Sequence, residues 1–400
     1  MRPSLPRRRF PGLDGLRAIG ALFVLTTHVG FHSGASLNSG FNGLLSRMDS
    51  GVAIFFVISG FLLFRPHAVA WLVGVTRPRA SVYARHRGLR ILPALWIAVV
   101  GAALLLPHDA DVSVANYAYH ATLTQIYVSG HETSGLTQMW SLATEAAFYA
   151  VLPVLGWAFF RRGGPTRRSV VARLTVLATL PAIGAAWMAL AAATGLPQWG
   201  VWLPGYVGWF GLGMALALWQ AARSVGVLPH TWLDDLARHP GTVWALAAGL
   251  YLVIISPLGG PYDLSPPTPG QAATKNVVYA VFGLLVVLPA VAALREADEP
   301  ASVRALGGRL GGFFGDISYG IFCYHLIVLG LVEQALGYQI FTGGFLRLWA
   351  PTLAITIAVA TLSFYAVERP IMRRGRRAER PTPSPATPET AAACASSAAS

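Results

Sequence analysis

The sequence predicts an all-α, polytopic membrane protein of about ten transmembrane helices with both termini cytoplasmic, and three observations predict it. Only 12% of the 400 residues are charged while 54% are hydrophobic, and a soluble domain carries about 25% charged residues. Many apolar runs reach roughly 20 residues, the length needed to cross about 30 Å of hydrocarbon. The basic residues fall almost entirely into alternate connecting segments, as the positive-inside rule requires.

The expected spans run near 13–31, 51–73, 88–107, 138–160, 172–194, 200–221, 241–256, 277–294, 311–333 and 346–367. The first carries Asp14 and Arg17 and lacks a small-residue cleavage site, so it reads as a span and not as a cleavable signal peptide. The seventh is the shortest. With the N-terminus inside, the outer segments hold only Arg47, Lys275 and Arg347, and Arg17 sits within span one. The other 26 of the 30 Lys and Arg residues are cytoplasmic. An odd number of spans would scramble that division. Residues 1–12 form a basic cytoplasmic N-terminus and residues 13–377 the membrane domain. Residues 378–400, rich in Pro, Thr, Ala and Ser, form a cytoplasmic tail that is expected to be disordered.

Several function classes recede on composition. Cys323 and Cys394 provide neither a disulfide framework nor metal-ligand spacing, so no metal and no tightly bound cofactor is expected. The net charge of +13 suits cytoplasmic loops beside anionic lipid, and no basic module with interleaved aromatics points to nucleic acid. No fixed-period repeat suggests an inverted-repeat transporter.

Ionisable residues inside spans are costly and mark function. In span one, Arg17 and His28 are eleven residues apart, three turns plus roughly 20°, so they share one face about 16 Å apart along the axis. Asp14 lies three residues before Arg17, near enough to pair with it. On this topology Arg17 is near the cytoplasm and His28 in the outer half. The bland alternatives are a snorkelling Arg17 and a satisfied core His28. Span four opens with Trp140-Ser141-Leu142 and carries Glu145 and then Phe148-Tyr149. Glu145 comes to the depth of His28, where a carboxylate can fix the imidazole tautomer and raise its basicity. Ser59-Gly60 in span two suits close helix packing, or Ser59 a substrate contact. Span nine supplies Ser318-Tyr319 and Tyr324-His325, with His325 again in the outer half. Arg87 and Arg90, at the start of span three, form a guanidinium pair suited to phosphates, or ordinary topology charge. Glu368-Arg369-Pro370 reads as a structural ion pair before a helix-stopping proline.

Together these residues resemble the acyltransferase 3 family of membrane O-acyltransferases, across residues roughly 10 to 375. The resemblance rests on Arg17-x10-His28 within Leu-Asp-Gly-Leu-Arg-Ala, the Phe-Phe-Val-Ile-Ser-Gly-Phe run at 55–61 and Arg87/Arg90-Ile-Leu-Pro. Trp140-Ser141-Leu142-x2-Glu145-x2-Phe148-Tyr149, Ser318-Tyr319-x4-Tyr324-His325 and Glu368-Arg369-Pro370 follow in order. It implies transfer of an acyl group, often acetyl, from the co-substrate acyl-CoA to a hydroxyl of a sugar or glycosylated acceptor. The implied place is the bacterial cytoplasmic (inner) membrane, with the lipid bilayer as partner and no fixed oligomeric state.

The expected mechanism places the CoA phosphates on Arg87 and Arg90 and leads the pantetheine arm past Arg17. His28, assisted by Glu145, then acts as general base on the acceptor. Ser59, Trp140, Tyr324, His325 and Asp14 are expected to support substrate. The rival class is a transporter of a glycan, lipid-linked sugar or acyl compound, since buried Arg, His and Glu also serve proton-coupled carriers. In the loop 108–137, Asp109, Asp111, Tyr117, Tyr119, His120, Tyr127, His131 and Glu132 are further candidates for sugar contact.

Overall fold

Each expected span becomes one helix in the computed structural model, which describes residues 8–377 apart from 39, 41, 108–111, 129, 131–132 and 263–264. The helices are α1 Gly12–His32, α2 Gly51–Val73, α3 Ala80–Leu105, α4 Met139–Phe160 and α5 Arg167–Thr194. They continue as α6 Leu203–Ser224, α7 Pro240–Ile254, α8 Pro269–Ala292, α9 Arg309–Leu336 and α10 Phe345–Ser363. No strand occurs among the described residues. All but α1 and α7 belong to helical segments long and apolar enough to cross a membrane. The shortfall at α7 is length, at 15 residues. Helix α1 carries the polar Asp14, Arg17 and His28, which recur below in the functional site. The tail from 378, with Cys394, lies outside the described residues, as do 1–7, Asp109, Asp111, His131 and Glu132.

Contacts between segments far apart in sequence define the two ends of the bundle. At one end Arg8 pairs with Glu299 at 3.2 Å, and Gly307 packs on Pro11. This is the terminal end. At the other, the far end, Phe341 and Gly343 donate backbone hydrogen bonds to the carbonyls of His32 and Ser33. The start of α1 is thereby tied to the segment before α9, and its finish to the α9–α10 turn.

Glycines allow the polar helices to approach closely. A Cβ on Gly315 of α9 would lie 2.5 Å from the Cβ of Asp14, and one on Gly15 would lie 2.5 Å from the carbonyl oxygen of Leu306. Helix α9 therefore runs hard against α1 and carries His325 to His28. Helices α2 and α6 cross in the same way. A Cβ on Gly60 would meet the Phe210 carbonyl oxygen at 2.2 Å, and one on Gly213 the Val57 oxygen at 2.1 Å. The packing role of Gly60 is thus realised, which leaves Ser59 free for the interior. Because the obstacle is backbone, Gly213→Ala should destabilise the fold by about 1–3 kcal/mol. A thermal melt in detergent checks this, and an unchanged midpoint would contradict the crossing.

Two expectations change here. Helix α3 begins at Ala80, not near residue 88, so Arg87 and Arg90 lie two to three turns inside it and not at its start. Hydropathy reads residues 80–90 as a loop because they are charged, yet two of those charges, Arg87 and Arg90, face a polar interior. Glu368 and Arg369 form no ion pair. A π turn, Phe364–Glu368, turns the buried Glu368 back onto Ser363 Oγ at 2.9 Å, while Arg369 lies over the Tyr365 ring. Pro370 does not stop the helix. It lies in the stretch Arg369–Arg377, just after the widened turn that absorbs the missing N–H.

Candidate functional site

The polar residues of α1, α2, α3, α4 and α9 converge on a small central cavity of about 70 Å³. Its walls include Arg17, Ser59, Arg87, Arg90, Glu145 and Tyr149. Arg17 Nη1 bonds Asp14 Oδ1 at 3.2 Å. Glu145 Oε1 accepts from the Ser59 hydroxyl and from Tyr149 OH, the latter at 2.6 Å. The Arg87 guanidinium stands 5.9 Å from the Tyr149 ring centre, and its Nε is buried without a hydrogen-bond partner. Three guanidinium groups thus line a space whose walls supply a single carboxylate. Such an excess of half-buried cation favours an anion, or an oxygen on which negative charge develops.

On the terminal side a cavity of about 220 Å³ is lined by Arg90, Asp316, Tyr319, Glu368, Arg369 and Arg373, with Phe364 and Met372. It shares Arg90 and Tyr319 with the central cavity. Toward the far end a larger one, about 630 Å³, holds His28, His32, Asp49, Gln138, Trp140 and Lys275 in its wall. Val52, Ser141 and Phe322 are common to it and the central cavity. The three cavities therefore follow one another from end to end, the last two divided by a partition of those three residues.

His28 is held in one tautomer by its surroundings. Its Nδ1 lies 2.7 Å from the Val24 carbonyl oxygen, four residues back on α1. A carbonyl only accepts, so Nδ1 carries the hydrogen. His325 Nδ1 faces the Phe322 carbonyl at 2.8 Å and is protonated for the same reason. Its bare Nε2 then takes a share of the His28 Nδ1 hydrogen at 3.2 Å. The lone pair of His28 is left on Nε2, which no hydrogen bond from the described residues reaches. His325 is fully buried behind it.

The structure brings together Arg17, Ser59, Arg87, Arg90 and Glu145, with Asp14 supporting Arg17. His28 and Trp140 belong to the far cavity and His325 backs the former. Two pairings differ from expectation. Glu145 does not reach His28: it is engaged by Ser59 and Tyr149 across the partition, and the orienting partner of His28 is His325. Tyr324 lines none of the three cavities. One position before His325 means about 100° around the helix, which turns its hydroxyl to Ser363 Oγ at 2.7 Å. In the loop, His120 is buried and bonds the Asn116 carbonyl at 2.9 Å within the helix Val114–Ala121. Tyr117, Tyr119 and Tyr127 are likewise absent from the walls of the far cavity.

Sequence reasoning missed Asp49, Lys275, Tyr279 and the His32–Glu333 pair, in which His32 Nδ1 and Glu333 Oε1 are 2.7 Å apart. Lys275 Nζ bonds Asp49 Oδ2 at 2.7 Å, and Tyr279 OH bonds Asp49 Oδ1. The only sequence signals were a lone acid before span two and a Lys and Tyr four residues apart.

The fold and site together define a helical membrane protein with a cationic centre and a pair of imidazoles toward one end. Residues 10–368 match the family model for the acyltransferase domain, and the chain belongs to this acyltransferase 3 family. It is 25% identical to the peptidoglycan O-acetyltransferase OatA of Listeria monocytogenes over 92% of its length, but spans only 57% of that relative. It is 26% identical to nodulation protein 10 of Rhizobium leguminosarum, covering 90% of this chain and 92% of the other. With the exopolysaccharide production protein ExoZ of Rhizobium meliloti the identity is 28%, over 82% and 90%. No solved structure matches the chain.

Proposed function

We propose that the chain is a membrane O-acyltransferase that moves an acyl group, acetyl by preference, from acyl-CoA to a hydroxyl of a sugar or glycosylated acceptor. The observation that carries this reading is the succession of cavities, cationic from the terminal end to the centre and ending at the bare Nε2 of His28. The carbohydrate-linked names of OatA and ExoZ support the acceptor class. The gathering of basic residues at the terminal end supports a cytoplasmic terminal end in the bacterial inner membrane, where acyl-CoA is found.

The donor enters at the terminal end. Arg90, Arg369 and Arg373 receive its phosphates, and Arg87 and Arg17 line the way inward. The central cavity, about 70 Å³, is the smallest of the three, which suits a short acyl group better than a long chain. The donor thioester and the acceptor hydroxyl meet at the Val52–Ser141–Phe322 partition, which both cavities share. His28 Nε2 takes the proton of the acceptor hydroxyl as its oxygen attacks the thioester carbonyl. The C–S bond breaks and the CoA thiolate leaves, to be protonated from the imidazolium.

Purified protein in proteoliposomes should release CoA thiol from acetyl-CoA in the presence of a glycoside acceptor and yield the acetylated glycoside by mass. Intact acetyl-CoA, with the glycoside instead carried across the bilayer, would overturn the reading in favour of a transporter. Arg87→Ala should raise the KM for acetyl-CoA about tenfold, the scale of one charged hydrogen bond, and leave the acceptor KM unchanged. An unaltered donor KM would remove Arg87 from the donor path.

A further inference from the structure

In the wall of the far cavity is a polar group to which the transfer chemistry assigns no task. Asp49 lies in the short turn Arg47–Ser50 before α2, and both of its oxygens are engaged from α8, by Lys275 and Tyr279. The turn itself is anchored. Arg47 is buried and bonds the carbonyl oxygens of Ile254 and Pro261 at 3.3 and 3.0 Å, with its guanidinium over the Tyr262 ring. Asp49 and Lys275 are nevertheless partly exposed, and what they face is the cavity that His28 enters. Trp140 and Gln138 are in the same wall.

We propose that Asp49, fixed between Lys275 and Tyr279, is the residue that binds the acceptor, its carboxylate receiving two neighbouring hydroxyls of a neutral saccharide ring. This assignment rests on the acyltransferase reading and adds to it the subsite that selects and orients the acceptor. Each carboxylate oxygen accepts more than one hydrogen bond, so the contacts to Lys275 and Tyr279 leave capacity on both. Fixing the carboxylate in advance spares the ordering cost on binding. Hydrogen bonds to an ionised acceptor are the strong ones. An aromatic face at Trp140 complements the apolar face of a sugar ring, and Gln138 adds an amide. A monohydroxyl acceptor would engage Asp49 through one bond at most, so the site discriminates for adjacent hydroxyls.

The test is direct binding, measured without donor. Methyl glycosides of glucose, galactose and mannose and their 2-deoxy counterparts are titrated into purified protein and followed by calorimetry, with cyclohexanol as the monohydroxyl control. The wild-type protein should bind at least one glycoside and not cyclohexanol. Asp49→Asn should weaken that binding roughly tenfold or more. Wild-type protein that binds no glycoside, or Asp49→Asn protein that binds as the wild type does, overturns the assignment. If Asp49→Asn fails to fold, Tyr279→Phe replaces it: a loss of about threefold supports the assignment, and unchanged affinity overturns it. Glycoside binding without any consumption of acetyl-CoA would leave the subsite standing and remove the acyltransferase reading instead.

Discussion

His28→Gln is expected to abolish measurable acyl transfer, by a factor of about 10²–10⁴, the usual contribution of a positioned general base. Glutamine keeps a polar side chain of similar reach, so the α1–α9 contact survives. It offers no basic nitrogen at neutral pH. The protein should remain in the membrane and bind acetyl-CoA with unchanged affinity, because the guanidinium groups lie beyond the Val52–Ser141–Phe322 partition. Thiol release with a glycoside acceptor is the measurement, and activity within threefold of wild type would remove His28 from the chemistry. His325→Leu acts one step back. It removes the acceptor for the His28 Nδ1 hydrogen while the Val24 carbonyl remains, so its effect on the same assay should be smaller than that of His28→Gln.

The membrane architecture was legible because each of its determinants lies along one segment. Apolar length marks a span, and the long helices fall where those lengths predict. The same holds for Arg17 and His28, whose shared face is a property of one helix, and for Asp14, paired with Arg17 as its spacing implies. Pairings between helices were not legible. Depth alone suggested Glu145 for His28, since both lie in the far half of their helices. Depth leaves rotation about each helix axis undetermined, and rotation decides that Glu145 meets Ser59 while His28 meets His325. Asp49 and Lys275 are 226 residues apart, and nothing in either local pattern refers to the other. Charge also misled in α3, where a polar face buried against other polar helices resembles a loop on hydropathy. Arg87 and Arg90 thereby moved from the rim to the central cavity.

That relocation sharpens the role of Arg17. As a rim charge it would be one basic residue among many. Instead it stands in a cavity of about 70 Å³ with Arg87 and Arg90, beside Glu145. Arg17 lies about 16 Å along α1 from His28, too far to touch the carbonyl that is attacked beside His28, so its guanidinium meets the donor behind the reacting end, where the phosphate-bearing arm passes. Asp14 holds Arg17 from the terminal side, and the crowding of Gly315 against Asp14 fixes the helix that carries both. Arg17→Gln should therefore raise the KM for acetyl-CoA about tenfold, the scale of one charged hydrogen bond, with a smaller change in kcat. Arg87→Ala should show the same division, in KM more than in kcat. Were Arg17 only a structural partner of Asp14, Asp14→Asn combined with Arg17→Gln would restore activity by leaving no charge unpaired. The donor-binding role predicts that the double variant keeps the raised KM of Arg17→Gln alone.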